Sequence, residues 1–338
     1  MTPHARPDRP RTLGPNGPAV SPLGLGLAAL GRPGYINLGR DADLGRERSV
    51  AAMEARAHQV LDEAWRAGVR YFDAARSYGR AEAFLGRWLA KNGIAPSAVV
   101  VGSKWGYAYT ADWQIDADVH EVKELSLPRF RTQWAETRQH LGDHLDLYQV
   151  HSLTLSSGAL EDRPLLAALA ALKEKGVRVG LSTSGPDQAE VIARATDLQL
   201  DGVRVFDAVQ STWNVLERSA AAALAEAHAA GMGVIVKEAL ANGRLAARSD
   251  EARDAAVTTR LQAEATRLEV PVDALALAAA LAQPWADVVL SGAVTPDQLH
   301  SNLRALELVL DERVWATLDS LIEAPEAYWA RRAGLPWR

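Results

Sequence analysis

The sequence predicts an α/β protein, a single-domain (β/α)8 TIM barrel with an N-terminal hairpin and long loops around its mouth. Three observations predict it. Eight apolar runs of strand length alternate with segments of helical period. No linker or break in composition divides the 338 residues. Polar side chains follow one strand after another at the same end, where a barrel of this kind builds its site.

In chain order, residues 1–10 are rich in Arg and Pro and are expected to be disordered, which leaves 11–338 for the barrel domain. Residues 11–20 contain Pro15-Asn16-Gly17 and read as a hairpin. The strands are expected at Leu23–Leu27, Val69–Phe72, Val99–Gly102, Leu145–Val150, Val177–Leu181, Phe206–Gln210, Gly233–Val236 and Val288–Leu290. Between them, Ala57–Ala67 sets Val60, Leu61, Ala64 and Trp65 on one stripe. Leu165–Lys175, Val191–Leu198, Ala220–Ala230, Ala274–Gln283 and Leu299–Leu308 show the same period. The connections 28–54, 104–125, 152–162 and 241–256 are too long for plain turns and are expected around the barrel mouth.

Composition narrows the chemistry. With 48% apolar residues the chain supplies one large core. No apolar run nears the roughly 20 residues of a membrane span. The first residues lack the apolar stretch of a secretory signal, so a cytoplasmic location is expected. There is no cysteine, which excludes disulfides, thiolate zinc sites and cysteine nucleophiles. A net charge of −5 argues against a nucleic-acid surface. Basic residues are overwhelmingly Arg: the lysines are Lys91, Lys104, Lys123, Lys173, Lys175 and Lys237 alone. A lysine in an apolar setting therefore calls for a reason.

Two of those lysines follow strands. Asp73 follows Phe72, and Tyr78 comes five residues on; Ser103-Lys104 follows the third strand; His151 follows the fourth. Ser182-Thr183, Gln210 and Lys237-Glu238 follow the next three. Each has a structural reading when taken alone. Asp73 suits a helix cap, Tyr78 loop packing, His151 a satisfied structural histidine, and Ser182 and Gln210 backbone hydrogen bonds. Together they would converge on one mouth.

The residues that carry this pattern resemble the aldo-keto reductase family. Phe72-Asp73-Ala74-Ala75-Arg76-Ser77-Tyr78-Gly79 is similar to its signature after a short strand. Val101-Gly102-Ser103-Lys104, Asp146-Leu147-Tyr148-Gln149-Val150-His151 and Gly180-Leu181-Ser182 resemble its following strands. So do Gln210 with Asn214, and Ser291-Gly292-Ala293 through Gln298, Leu299 and Asn302. The resemblance implies hydride transfer between a nicotinamide cofactor and a small-molecule carbonyl or alcohol, with no metal, no nucleic acid and no membrane partner. It implies Tyr78 as general acid/base, Lys104 as the nearby cation, Asp73 holding Lys104, and His151 orienting the carbonyl oxygen.

For the cofactor, the resemblance implies Ser182, Thr183 and Gln210 at the carboxamide and Leu240, Gly243 and Leu245 around the pyrophosphate. Lys237 and Glu238 would lie beside the nicotinamide, and Gln298 and Asn302 at the adenine end. Three departures stand out. Thr183 replaces a usual Asn. Lys237 replaces an aromatic residue that commonly stacks on the nicotinamide. Gly292, Ala293, Val294 and Gln298 lack the basic groups that meet a 2′-phosphate in many NADPH-dependent members. NADP(H) is the family default; these residues leave NAD(H) open, with Arg244 or Arg304 as compensating cations. Tyr35, Trp105, Tyr107, Tyr109, Trp113, Tyr328, Trp329 and Trp337 lie in mouth segments or the tail. They read either as loop packing or as the wall of a pocket for a sugar-like or aromatic carbonyl. Two rival readings are a cofactor-binding sensor or subunit with little turnover, and a barrel hydrolase or isomerase using Asp73, Glu82 and His151.

Overall fold

The apolar runs are strands buried on both faces, as parallel strands under helices must be. They are β1 (Leu23–Gly26), β2 (Tyr71–Asp73), β3 (Val100–Trp105) and β4 (Leu145–Leu153), then β5 (Arg178–Thr183), β6 (Ala208–Thr212), β7 (Gly233–Lys237) and β8 (Val288–Ser291). The computed structural model describes residues 11–36, 38, 43–246 and 254–337; the expectation for residues 1–10 lies outside them. Each strand pairs in parallel with its sequence neighbours, and β8 pairs with β1, closing the barrel. The register sets Phe72 between Leu25 and Val101, and Gly180 between Gln149 and Ala208.

Helices surround the barrel. Helix α1 (Val50–Arg66) starts where Ser49 caps the Ala52 N–H, and buries Met53, Ala57, Val60, Leu61 and Ala64, one stripe of its surface. The expected helices at 165–175 and 299–308 end earlier, at Ala170 and Leu303, and finish in 3-10 turns. Other helices lie where no stripe was singled out: Ala81–Lys91, Leu127–Leu141, Ala255–Arg267, Glu312–Asp319 and Pro325–Ala333. Among the described residues no helix is long and apolar enough to cross a membrane.

The hairpin expected at 11–20 pairs Arg11–Thr12 with Ala19–Val20 and closes the barrel bottom. Its Leu13 and Val20 pack with Tyr71, Val100, Leu147, Ala208, Ile235 and Val288 in an apolar plug. Gly14 lies at φ +72°, its N–H donating to Asp287 Oδ2 at 2.9 Å, and a Cβ there would sit 2.9 Å from the Gly233 nitrogen. At the other end, an antiparallel ribbon of Tyr107–Tyr109 with Glu121–Lys123 rises from the loop after β3. The tail returns to the mouth, where Trp337 bridges to Ile36 and stacks on His120 at 4.3 Å.

Candidate active site

Pairing alone brings the candidate reactive groups together. Asp73 ends β2 opposite Gly102 of β3, and Lys104, two residues on, faces the same side as Gly102. Gly102 leaves room that a side chain would take: a Cβ there would lie 2.5 Å from the Tyr71 hydroxyl and 3.4 Å from Asp73 Oδ2. Lys104 Nζ donates to Asp73 Oδ1 and, at 3.0 Å, to the Ala74 carbonyl. Gln210 and Gln149 donate to Asp73 Oδ2 at 2.9 and 3.4 Å. Lys104 is wholly buried and Asp73 nearly so, so the pair depends on these extra donors.

The turn after β2 delivers Tyr78. Gly79 follows it at φ +59°, tight against the Gly31 carbonyl, and the Arg80 N–H donates to that carbonyl at 2.7 Å. Tyr78 is 8% exposed; Lys104 Nζ lies 4.8 Å and the Arg32 guanidinium 5.2 Å from its ring centre. His151 meets the Tyr78 ring edge-on at 5.5 Å between centres. Burial pushes the Tyr78 phenol well above its usual range and the Asp73 charge adds to this, while Arg32 opposes it. Burial also holds His151 well below the usual imidazole range, helped by the charges of Lys104, Arg32, Lys237 and Lys123. At neutral pH, Tyr78 thus keeps its proton and His151 is uncharged.

β4 is irregular at this point. Its pairing with β5 shifts between Val150 and Leu153, and Ser152 takes φ +50°. The Ser152 N–H donates to Ser182 Oγ at 2.8 Å, which fixes the backbone just after His151.

The mouth is a cleft of about 550 Å³ that runs from Tyr78 and His151 to the segment 297–302. That volume is within the roughly 300–1,000 Å³ of ligand sites. Asp73, Tyr78, His151, Gln210, Lys237, Glu238, Leu240, Gly243, Gln298 and Asn302 all line it. Lys104 lies behind Asp73. Ser182 and Thr183 are buried behind the wall, Thr183 donating to Ser211 Oγ at 2.9 Å, and Ser184 is the cleft-lining residue of that segment. Leu245 is fully buried in the core. Gln298 accepts from the Val294 N–H at 2.9 Å, and the Asn302 amide meets Ser291 Oγ at 2.8 Å.

Lys237 and Glu238 form a relay with the tail. Lys237 Nζ donates to Thr212 Oγ1 at 2.8 Å, and that hydroxyl donates to Glu238 Oε2 at 3.1 Å. Arg332 Nε lies 3.0 and 2.9 Å from the two Glu238 oxygens, while Lys237 Nζ is 3.8 Å from the nearer one. Burial lowers Lys237 to about 8, against the charge of Glu238. Burial also works against the Glu238 carboxylate, but Arg332 and Lys237 outweigh it and bring that group to about 2. Arg244 is engaged elsewhere, buried against Asp254 at 2.9 Å and against Glu323.

Of the mouth aromatics, Tyr35, Tyr107 and Trp337 line the cleft. Trp105 packs on Phe130, Trp113 on Phe84, and the Tyr109 hydroxyl accepts from the Trp113 N–H. Arg32, Glu121, Lys123, Ser184 and Arg332 also line the cleft and were not legible in the sequence, since each belongs to a loop, the ribbon or the tail. Only their position beside long connections hinted at them.

A model of the aldo/keto reductase family matches residues 22–323. The chain belongs to that family. It is an NAD(P)-dependent oxidoreductase with a small-molecule substrate. It is similar to a D-threo-aldose 1-dehydrogenase of a Pseudomonas species, 27% identical over 89% of this chain and 96% of the relative. It is also similar to a pyridoxal 4-dehydrogenase of Microbacterium luteolum, 26% identical over 94% of this chain and 98% of the relative. The holo form of the aldo-keto reductase AKR11C1 from Bacillus halodurans shares the fold, with a TM-score of 0.71 and 22% identity over 94% of this chain and 97% of the other.

The cleft residues fit a nicotinamide dinucleotide. Gly26 and Gly292 present no side chain to the cleft, and a Cβ on Gly292 would meet nothing within 4 Å. Asn242 at φ +55° donates to the Ile36 carbonyl, yet its buried Oδ1 has no partner.

Proposed function

We propose that the protein interconverts a carbonyl and an alcohol with Tyr78 as the proton-transferring group, and that it discriminates only modestly between NAD(H) and NADP(H) or favours NAD(H). One observation carries the reading: Asp73, Lys104, Tyr78 and His151 meet at one end of a cleft of about 550 Å³ that continues to the segment 297–302. The cofactor, when bound, gives or accepts the hydride. In reduction, Tyr78 holds a proton at neutral pH and delivers it to the carbonyl oxygen. His151, uncharged, offers a ring N–H to the same oxygen and fixes its position without competing for the proton. In oxidation, Tyr78 must first lose its proton in order to accept one from the alcohol, and Arg32 favours that phenolate against burial and the Asp73 charge. Asp73 holds Lys104 in place, and Gln210 and Gln149 hold Asp73.

Gln210 and Ser184 are the groups available to a carboxamide, with Ser182 and Thr183 supporting the wall behind them. Leu240, Gly243 and Asn242 would hold the pyrophosphate, and Gln298 and Asn302 the adenine end. Near that end the cleft is lined by Asp273 and Asp297. A carboxylate suits a ribose hydroxyl and repels a 2′-phosphate. Neither named compensating cation supplies an offset, since Arg244 is bound to two carboxylates and Arg304 is not among the residues that line the cleft. The test is Tyr78→Phe, assayed with both cofactors. Cofactor affinity should hold, and turnover should fall by at least about 100-fold. Near wild-type turnover on any carbonyl would overturn the assignment.

A further inference from the structure

We infer that the substrate carries a compact anionic group, a carboxylate or phosphate, and that Lys123 is the residue that recognises it. The inference rests on the oxidoreductase reading above and names the substrate class for the same site. Lys123 lies at the end of the mouth ribbon, paired with Tyr107, and both line the cleft. Its Nζ donates to the Ser152 carbonyl at 2.8 Å and to Thr154 Oγ1 at 3.4 Å, and stands 5.8 Å from the Tyr107 ring centre. The Tyr107 ring in turn lies 5.0 Å from that of His151. Lys123 is thus tethered to the residue that follows His151 and is held over the reacting end of the cleft.

Its partners set it apart. Arg32 has Glu121 at 2.9 Å, Lys104 has Asp73, and Lys237 and Arg332 share Glu238. Among the described residues, Lys123 has no carboxylate within ion-pair distance; both its acceptors are neutral. An ammonium has three donors, and two are used here. The ion is partly withdrawn from water, and burial alone lowers its proton affinity. Such a charge gains most from an anion that enters beside it. The surroundings point the same way. Lys123 lines the cleft together with Arg32, Lys237 and Arg332 and with Glu121 and Glu238, next to the buried Lys104–Asp73 pair.

The experiment uses matched carbonyl pairs with the full-length protein and NADH: 4-oxobutanoate against butanal, and glyceraldehyde 3-phosphate against glyceraldehyde. Wild type should favour the anionic member of at least one pair by at least about tenfold in kcat/KM, chiefly through KM, and the two pairs tell carboxylate from phosphate. Lys123→Met should collapse that ratio to near one, and Lys123→Arg should keep most of it. Equal use of charged and neutral members by wild type would overturn the inference. So would a Lys123→Met variant that keeps the ratio, which would mark a structural lysine. If no carbonyl is turned over, the oxidoreductase reading fails, and equilibrium binding still decides the anion site. Butanoate or inorganic phosphate should then bind the wild-type NADH complex more tightly than butanamide does, by about tenfold, and Lys123→Met should lose that difference. No preference for either anion would overturn the inference by itself.

Discussion

Lys237 offers a direct electrostatic test. The family resemblance would put it where relatives commonly stack an aromatic ring on the nicotinamide, and its ammonium is held by Thr212 Oγ1 at 2.8 Å. Oxidised nicotinamide is cationic and the reduced ring is neutral, so a charged Lys237 disfavours the bound oxidised form. Two unit charges about 6 Å apart interact by about 3 kcal/mol at an effective dielectric of about 20. Glu238, at 3.8 Å from the ammonium, opposes this, but its carboxylate is also gripped by Arg332. A net bias of about 1 kcal/mol, roughly fivefold in relative affinity, is the expected remainder. Lys237→Met keeps the length and removes the charge, so it should raise the affinity for the oxidised form relative to the reduced form by about fivefold. Because Lys237 titrates at about 8, it is about nine-tenths charged at pH 7 and about one-tenth at pH 9. The same ratio should therefore rise with pH in wild type and stay flat in the variant. The assay is calorimetric or fluorescence titration with both redox forms at pH 7 and 9. A ratio that ignores both the substitution and the pH would refute the electrostatic argument and leave Lys237 a structural or phosphate-binding residue.

Three further outcomes are expected. NADPH should not be preferred over NADH by more than about 100-fold, about 2.7 kcal/mol, because Asp273 and Asp297 line the adenine end; dissociation constants beyond that limit would reveal an unrecognised phosphate site. Burial raises Asp146 to about 6 from an unfolded value near 3.8, although it accepts from the Val101 N–H at 2.8 Å. Its contribution to stability is full below the unfolded value and is lost as pH rises through 6, so Asp146→Asn should stabilise the protein at pH 7 by about 1 kcal/mol after allowance for partial exposure; denaturant curves at pH 4 and 7 check this, and equal gains at both would refute it. Ser182→Ala leaves the Ser152 N–H without its acceptor and should cost about 1–3 kcal/mol, read as a lower thermal midpoint together with a lower kcat; an unchanged midpoint would show that the irregularity in β4 needs no such support.

The barrel was legible because parallel strands under helices are written as apolar runs, and no such run competes with these eight. The convergence of the candidate quartet was legible for a related reason: Asp73, Lys104 and His151 lie at or near the C-terminal ends of strands, so the strand reading placed them at one end. What escaped is what the loops decide. Lys123 and Glu121 sit on a ribbon of only three residues a side, too short for alternation to show. Arg332 lies more than ninety residues from the glutamate it binds, and no local pattern encodes that pairing. The helix Leu127–Leu141 was passed over although Ser126 and Pro128 mark its start, because its buried face carries Gln133 and Thr137 among the apolar residues. For Trp105 and Trp113 the packing alternative holds, since aromatic residues near a mouth can face inward to the packing as readily as outward to the cleft.

The hairpin plug at the barrel bottom makes solvent access one-sided. Below Asp73 and Lys104 lies a dry layer of Tyr71, Val100, Leu147 and Ile235, capped by Leu13 and Val20. Among the described residues the plug closes that side, so mobile ions approach the candidate reacting groups from the cleft, and a ligand that fills it limits their screening. Ionic strength should then act as a tax on arrival rather than on chemistry: added salt weakens the capture of charged ligands and moves KM, while the rate of the step inside the filled barrel stays nearly constant.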